Sequence, residues 1–148
     1  MSYKQICVNR KAYFEYQILQ KYIAGIKLVG TEIKSIRDAK TSIVEAYCFI
    51  KDGELFIKGM HVTEHKESSK HYNHEPVRDR KLLMNKKEII KLNENIQQKG
   101  LTIVPLAVIL SDTGFIKIEI GLAKGKNLYD KRVSIKEKDI KRDLERSL

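Results

Sequence analysis

The chain has 148 residues, with 29 lysines and arginines against 19 aspartates and glutamates, for a formal net charge of +10. The length sets one domain as the expectation, and an apolar content of 42% is ordinary for a globular protein with a sizeable core. No apolar run approaches the roughly 20 residues of a spanning helix, which excludes helical membrane insertion, while the charge excess favours a polyanionic partner.

Met1-Ser2-Tyr3-Lys4-Gln5 lacks the apolar stretch of a signal peptide, so the expectation is a cytoplasmic protein. Cys7 and Cys48 have no paired spacing and read as buried thiols in a reducing compartment. Alternation at Phe14, Tyr16 and Ile18 predicts a half-buried strand. Ala24-Gly25 then turns the chain into Ile26-Lys27-Leu28-Val29. After Gly30, Thr31 can cap a short helix that buries Ile33 and Ile36. Two hairpins follow. Tyr47 to Ile50 and Leu55 to Met60 flank Lys51-Asp52-Gly53-Glu54, where Asp-Gly favours a type I′ turn. Thr102 to Leu110 and Phe115 to Gly121 flank Ser111-Asp112-Thr113-Gly114 in the same way, with Pro105 marking an edge or a bulge.

Between the hairpins lies the clearest helix. Asn85 can accept from the backbone of Glu88, whose carboxylate reaches back in a variant of the capping box. Ile89, Leu92 and Ile96 line one face, and Gly100 supplies the stop. The connection from His61 to Arg80 is polar and long enough to be functional or mobile. Short strands at close intervals with an intervening helix predict a mainly β body over 1–125, a small antiparallel barrel with flanking helices. The tail, 126–148, has no Gly or Pro and carries a stripe at Ile140, Leu144 and Leu148 that Val133 and Lys136 continue. Such a stripe is one residue wide. It suits a loosely packed helix or, as we expect, a segment disordered when free that becomes helical on a charged partner.

Catalytic patterns are absent from the spacing. His61, His65, His71 and His74 have no cysteine among them and read as a solvated loop rather than a metal site. Gly121-Leu122-Ala123-Lys124-Gly125-Lys126-Asn127 is one residue short of a phosphate loop and has Asn127 where Mg²⁺ chemistry needs Ser or Thr. No Ser-His-Asp, Cys-His or paired-carboxylate arrangement can be singled out. The expectation is a protein without enzymatic activity, cofactor or metal.

Basic residues cluster beside aromatic ones instead. Asn9-Arg10-Lys11-Ala12-Tyr13-Phe14 precedes Tyr16, Lys34 and Arg37 project from the short helix, and Arg78, Arg80 and Lys81 surround Asp79. Lys124, Lys126, Lys131 and Arg132 crowd the junction with the tail. Cationic groups neutralise phosphates and aromatic faces stack on unpaired bases, so the pattern points to RNA.

Four stretches resemble the small protein B family, the SsrA-binding proteins of bacterial trans-translation. They are Asn9-Arg10-Lys11-Ala12, Gly30-Thr31-Glu32-Ile33-Lys34-Ser35-Ile36-Arg37, Asp79-Arg80-Lys81-Leu82-Leu83, and the run from Gly121 through Gly125, Lys126, Tyr129, Asp130 and Lys131 to Arg132. The likeness runs in order from about Asn9 to the C-terminus. It implies an oligonucleotide-binding barrel that holds the tRNA-like domain of transfer-messenger RNA, acting as a monomer. That RNA, charged with alanine, reaches stalled ribosomes with elongation factor Tu. The family's RNA-binding residues fall on Tyr16, Leu83 and Lys117, to which the basic residues Lys34, Arg37, Arg78, Arg80 and Lys81 add phosphate contacts. The resemblance further implies that the tail lies in the empty messenger channel, with Gly125, Lys126, Tyr129, Asp130, Lys131 and Arg132 at the small-subunit decoding centre. The family often has Glu just before the Ala-Gly pair, where this chain has Ile23. Two rival readings remain: a general RNA-binding barrel for another structured RNA, and an RNA-processing enzyme.

Overall fold

One seven-stranded antiparallel sheet organises the computed structural model, which describes residues 3–64 and 73–126. In chain order the elements are β1 (Tyr3–Val8), α1 (Arg10–Glu15), β2 (Tyr16–Ile26), α2 (Gly30–Arg37), β3 (Thr41–Ser42), β4 (Tyr47–Lys51), β5 (Glu54–Lys58), β6 (His61–Val62), β7 (Arg80–Leu83), α3 (Lys86–Lys99), β8 (Thr102–Ser111) and β9 (Ile116–Gly125). The sheet order is β1-β8-β9-β2-β7-β5-β4, and β3 pairs with β6 in a separate ribbon. A mainly β body is what the residue pattern predicts. The barrel, however, does not close by strand pairing among the described residues. β4 lies against β8, so the sheet curls over, but β8 already pairs with β9 and β1 and has no free edge for β4.

Strand alternation builds two cores. Along β9, Ile116, Ile118, Ile120 and Leu122 face the main core, where they meet Leu55, Ile57, Leu82, Ile103 and Val108. Ile36 of α2 and Ile89 and Leu92 of α3 close that core, with Ile96 packed beside them. On the opposite face, Ala12 of α1 covers Val104, Leu106 and Ala123, with Tyr16 and Ile18 alongside. Gly121 sits under this second cluster, where a Cβ would approach Leu106 Cδ1 to 2.9 Å. Both thiols lie inside or half inside, and burial pushes each pKa up.

Several local expectations change. Phe14 belongs to α1, not to a strand, and is 72% exposed. The helix forms because Asn9 caps it: Asn9 Oδ1 accepts from Ala12 N at 3.3 Å while its Nδ2 donates to Pro105 O at 2.9 Å. Alternation therefore begins only at Tyr16. β2 runs straight through Ala24-Gly25, which is no turn, and β1 precedes everything expected from the pattern. Thr31 does not cap α2. The helix begins after Val29, whose N–H donates to Glu32 Oε1 at 2.9 Å, and the Thr31 hydroxyl bonds His74 Nδ1 at 2.9 Å. Asn85 does cap α3, but it accepts from Lys87 N at 3.0 Å rather than from Glu88, and Gly100 ends the helix at φ 64°.

The turns divide similarly. Asp52 and Gly53 have φ of 52° and 76°, the type I′ pattern. The β8–β9 connection is instead a type I turn, with Gly114 N donating to Ser111 O at 2.9 Å and Gly114 at φ 88° re-entering the ladder. Pro105 marks a bulge, between Pro105 and Ala107, in a strand with neighbours on both sides. His74 is buried, its Nε2 2.8 Å from Val62 O, so that histidine is a structural pin and not part of a solvated loop. His65 and His71 lie outside the described residues.

Candidate nucleic-acid interface

Residues directly opposite one another in antiparallel strands point to the same side. Gly25 of β2 is opposite both Lys117 of β9 and Leu83 of β7. The main core lies behind this row, as the burial of Ala24, Leu82 and Ile118 shows. Lys117, Gly25 and Leu83 therefore form one outward row across three strands. Leu83 is 50% exposed, and Lys117 has no ion pair among the described residues. Gly25 makes the row possible: a Cβ there would come within 3.3 Å of the Leu83 Cβ. The adjacent outward row pairs Ile23 with Glu119, and Lys21 Nζ lies 3.7 Å from Glu119 and 5.2 Å above the Tyr13 ring. Glu119 is thus balanced locally by Lys21, whereas Lys117 has no such partner among the described residues.

The same end of β2 leads into α2, whose Lys34 and Arg37 are exposed. Arg37 Nη2 donates to Gly114 O at 3.1 Å, tying α2 to the turn that precedes Lys117. Lys34, Arg37, Leu83 and Lys117 are thereby assembled at one pole. Arg78 is beside them, 31% exposed and forked onto Glu32 through Nη2–Oε1 at 2.6 Å and Nε–Oε2 at 3.2 Å. Lys81 faces outward opposite Phe56 and pairs with Glu54 at 3.1 Å.

Arg80 departs from expectation. Its side chain is fully buried, opposite Ile57 on the core side, and cannot meet a phosphate. Nε donates to Glu32, Nη1 to Met60 O at 2.7 Å and Arg78 O at 3.1 Å, and Nη2 to Pro76 O at 3.2 Å. Burial alone would raise the Glu32 carboxyl. Hydrogen bonds from Arg78, the Val29 amide and Arg80 outweigh it and hold the pKa below the ordinary carboxylate value. This carboxylate and two guanidiniums clamp the connection preceding β7 onto α2.

Tyr16 stands at the other pole. It shares the outward face but is half-buried beside α1, opposite Gly125 and roughly 30 Å along β2 from Gly25. Lys126 begins the tail at that pole: its N–H donates to Glu15 O at 3.1 Å and its ammonium sits 5.7 Å from the Phe14 ring centroid. Tyr129, Asp130, Lys131 and Arg132 lie outside the described residues, as does the stripe at Ile140, Leu144 and Leu148. Gly25 and Lys21 were not singled out from the sequence. The inward alternation of Tyr22, Ala24 and Ile26 is the signal that could have placed them outward, but the expectation of a turn at Ala24-Gly25 hides it.

The comparisons with known proteins agree with one another. The family model described as SmpB protein matches residues 6–148. An SsrA-binding protein of Prochlorococcus marinus subsp. pastoris is 46% identical over 146 residues, covering 99% of this chain and 83% of the relative. One from Cytophaga hutchinsonii is 53% identical over 138 residues, covering 93% of this chain and 90% of its own. A solved structure described as "tmRNA-SmpB: a journey to the center of the bacterial ribosome" superposes with a TM-score of 0.66 at 39% identity, covering 82% of this chain and 85% of that one. With the family model matching residues 6–148 of its 148, this chain belongs to the SmpB family.

Proposed function

We propose that the protein binds transfer-messenger RNA and acts with it on stalled ribosomes in trans-translation, as a binding protein and not an enzyme. The observation that carries this reading is the pole where Lys117, Gly25 and Leu83 cross three strands beside Lys34 and Arg37. Exposed cations there neutralise phosphates, Leu83 offers an apolar seat for a base or ribose, and Gly25 lets a backbone approach closely. Arg78 adds a partly neutralised cation, and Lys81 a weaker one because Glu54 holds it. The curled sheet serves as an oligonucleotide-binding, barrel-like platform, its outer face turned to the tRNA-like domain.

The opposite pole supports the second half of the reading. Tyr16, Gly125 and Lys126 mark the point from which the tail departs, about a body length from the RNA row. A monomer with RNA at one pole and a basic tail at the other can stand between an alanyl-charged RNA, delivered with elongation factor Tu, and the small-subunit decoding centre. Gly125, Lys126, Tyr129, Asp130, Lys131 and Arg132 would make the contacts there, with the rest of 126–148 in the messenger channel. The setting is the bacterial cytoplasm, and among the described residues no helix is long and apolar enough to cross a membrane.

Co-purification from cells followed by RNA sequencing tests the assignment. Transfer-messenger RNA should dominate the bound pool, and Lys117→Ala should deplete it. A pool dominated by another structured RNA would replace this function with a general RNA-binding one.

A further inference from the structure

We infer that a second RNA segment docks in the groove between α3 and the β2–β9 ladder, on the face of the sheet away from the Lys117–Leu83 row. The groove holds about 460 Å³. Lys91, Asn95 and Lys99 line it from α3, four residues apart and hence on one ridge of the helix. Lys124 faces them from β9, and Leu19 and Leu122 contribute apolar surface. Leu19 is available because β2 bulges between Ile18 and Gln20, which leaves it unmatched in the ladder and 49% exposed. None of the three lysines has an ion pair among the described residues.

The chemistry selects an RNA strand. The ridge from Lys91 to Lys99 spans ~12 Å at 1.5 Å per residue, long enough for its two lysines to meet different phosphates of one strand. Three ammoniums without an ion pair among the described residues line one cleft of a strongly basic body, and they attract a polyanion. The leucines suit the face of an unpaired base, and the Gln20 and Asn95 amides can meet base edges. The chain's own tail is a poor occupant, since Lys and Arg outnumber Asp and Glu over 126–148. The groove and the outward row open on opposite faces of the sheet, so one nucleotide cannot occupy both. The occupant is therefore a different segment from the one in the proposed function, and the groove stands whether or not that reading does.

The test uses the full chain and a labelled, unstructured oligouridine as probe, titrated across a salt series, alone and after saturation with structured tRNA-like RNA. The groove variant Lys91→Ala/Lys99→Ala/Lys124→Ala is compared with Lys86→Ala/Lys87→Ala, which removes charge from the same helix outside the groove. The inference expects the saturated wild type to keep binding the oligomer. The groove variant should bind it about tenfold or more weakly, with the log K against log salt slope flattened by about 2–3. The control should retain the wild-type slope. Oligomer binding abolished by the structured RNA would overturn the inference, as would an equal loss in both variants or wild-type binding in the groove variant. Loss of structured-RNA binding is read separately, through Lys117→Ala, so the failure of either site is visible on its own.

Discussion

Glu32 receives the guanidinium of Arg80 in a site where both side chains are fully buried. Arg78 completes the cluster from the surface side, with its Nη2 2.6 Å from Glu32 Oε1. Within the buried pair, removing Glu32 leaves the Arg80 guanidinium without a counter-charge. Glu32→Ala should therefore cost about 3–5 kcal/mol of stability, whereas an apolar replacement of Glu32 and Arg80 together should cost less. Chemical denaturation of both variants checks this; an equal loss in each would show that the pair itself, rather than the orphaned charge, sets the cost.

The same cluster makes stability depend on pH. The folded-state pKa of Glu32 is depressed, so its contribution is fully present above the unfolded value near 4.5 and is lost as pH falls through the folded one. Denaturation midpoints should fall below about pH 4.5 in the wild type. Glu32→Gln should be less stable at neutral pH and show a shallower acid decline. An acid decline as steep in that variant as in wild type would assign it to other carboxylates.

This cluster also marks where sequence reading reaches its limit. Arg78, Arg80 and Lys81 look alike as a basic run, but β7 alternation sends Arg80 inward and Lys81 outward, and only the pairing of β7 with β5 reveals which is which. The acidic partner, Glu32, is 48 residues from Arg80 in the chain, and no local pattern connects the two. Phe14 misled for a related reason: its two-residue spacing from Tyr16 is real, but the Asn9 cap makes its segment helical. Features determined by local chemistry were legible. Asp52-Gly53, Gly100 and the apolar face of α3 all follow from backbone conformation or a helical period. The row of Lys117, Gly25 and Leu83 needed register across three strands, which no local pattern carries.

At α3, Asn85 holds the first turn through a single side-chain bond to Lys87 N at 3.0 Å. Asn85→Ala should lower stability by about 0.5–2 kcal/mol, and Asn85→Asp or Asn85→Ser should restore most of it. RNA affinity should stay unchanged in protein that remains folded, because Asn85 is not on the outward row. A thermal midpoint equal to that of the wild type would show that other contacts hold this end of the helix.

The outward row separates charge from apolar contact. Lys117→Ala should weaken binding to transfer-messenger RNA and reduce the salt slope by about 1, as expected for one lost phosphate contact. Leu83→Ala should weaken it by about 1 kcal/mol with the slope unchanged, since a half-exposed leucine contributes apolar area only. Filter binding over a salt series gives both numbers. A Leu83→Ala slope change, or none for Lys117→Ala, would mean that the row faces the RNA differently.

The tail carries the most demanding prediction, a dissociation of two functions. Lys126 is anchored to the body through Glu15 O at 3.1 Å, so a chain ending after Tyr129 keeps that anchor and the outward row of Lys117, Gly25 and Leu83. What it loses is Asp130, Lys131, Arg132 and the stripe at Ile140, Leu144 and Leu148. A stripe one residue wide gives little burial against a core, while ordering the backbone costs roughly 1–2 kcal/mol per residue. Partner contacts must offset that cost, and phosphate neutralisation by Lys131 and Arg132 is the strongest available. Tyr129 can stack on a ribosomal base, and Asp130, repelled by phosphate, fits better as a helix cap or as a partner that orients Arg132. Truncation after Tyr129 should leave affinity for isolated transfer-messenger RNA within about tenfold, ~1.4 kcal/mol, yet abolish tagging on stalled ribosomes. Gel-shift titration beside a reconstituted tagging assay measures the two separately. Wild-type tagging by the truncated protein would make the tail a solvated appendage and move the ribosomal contact onto the body.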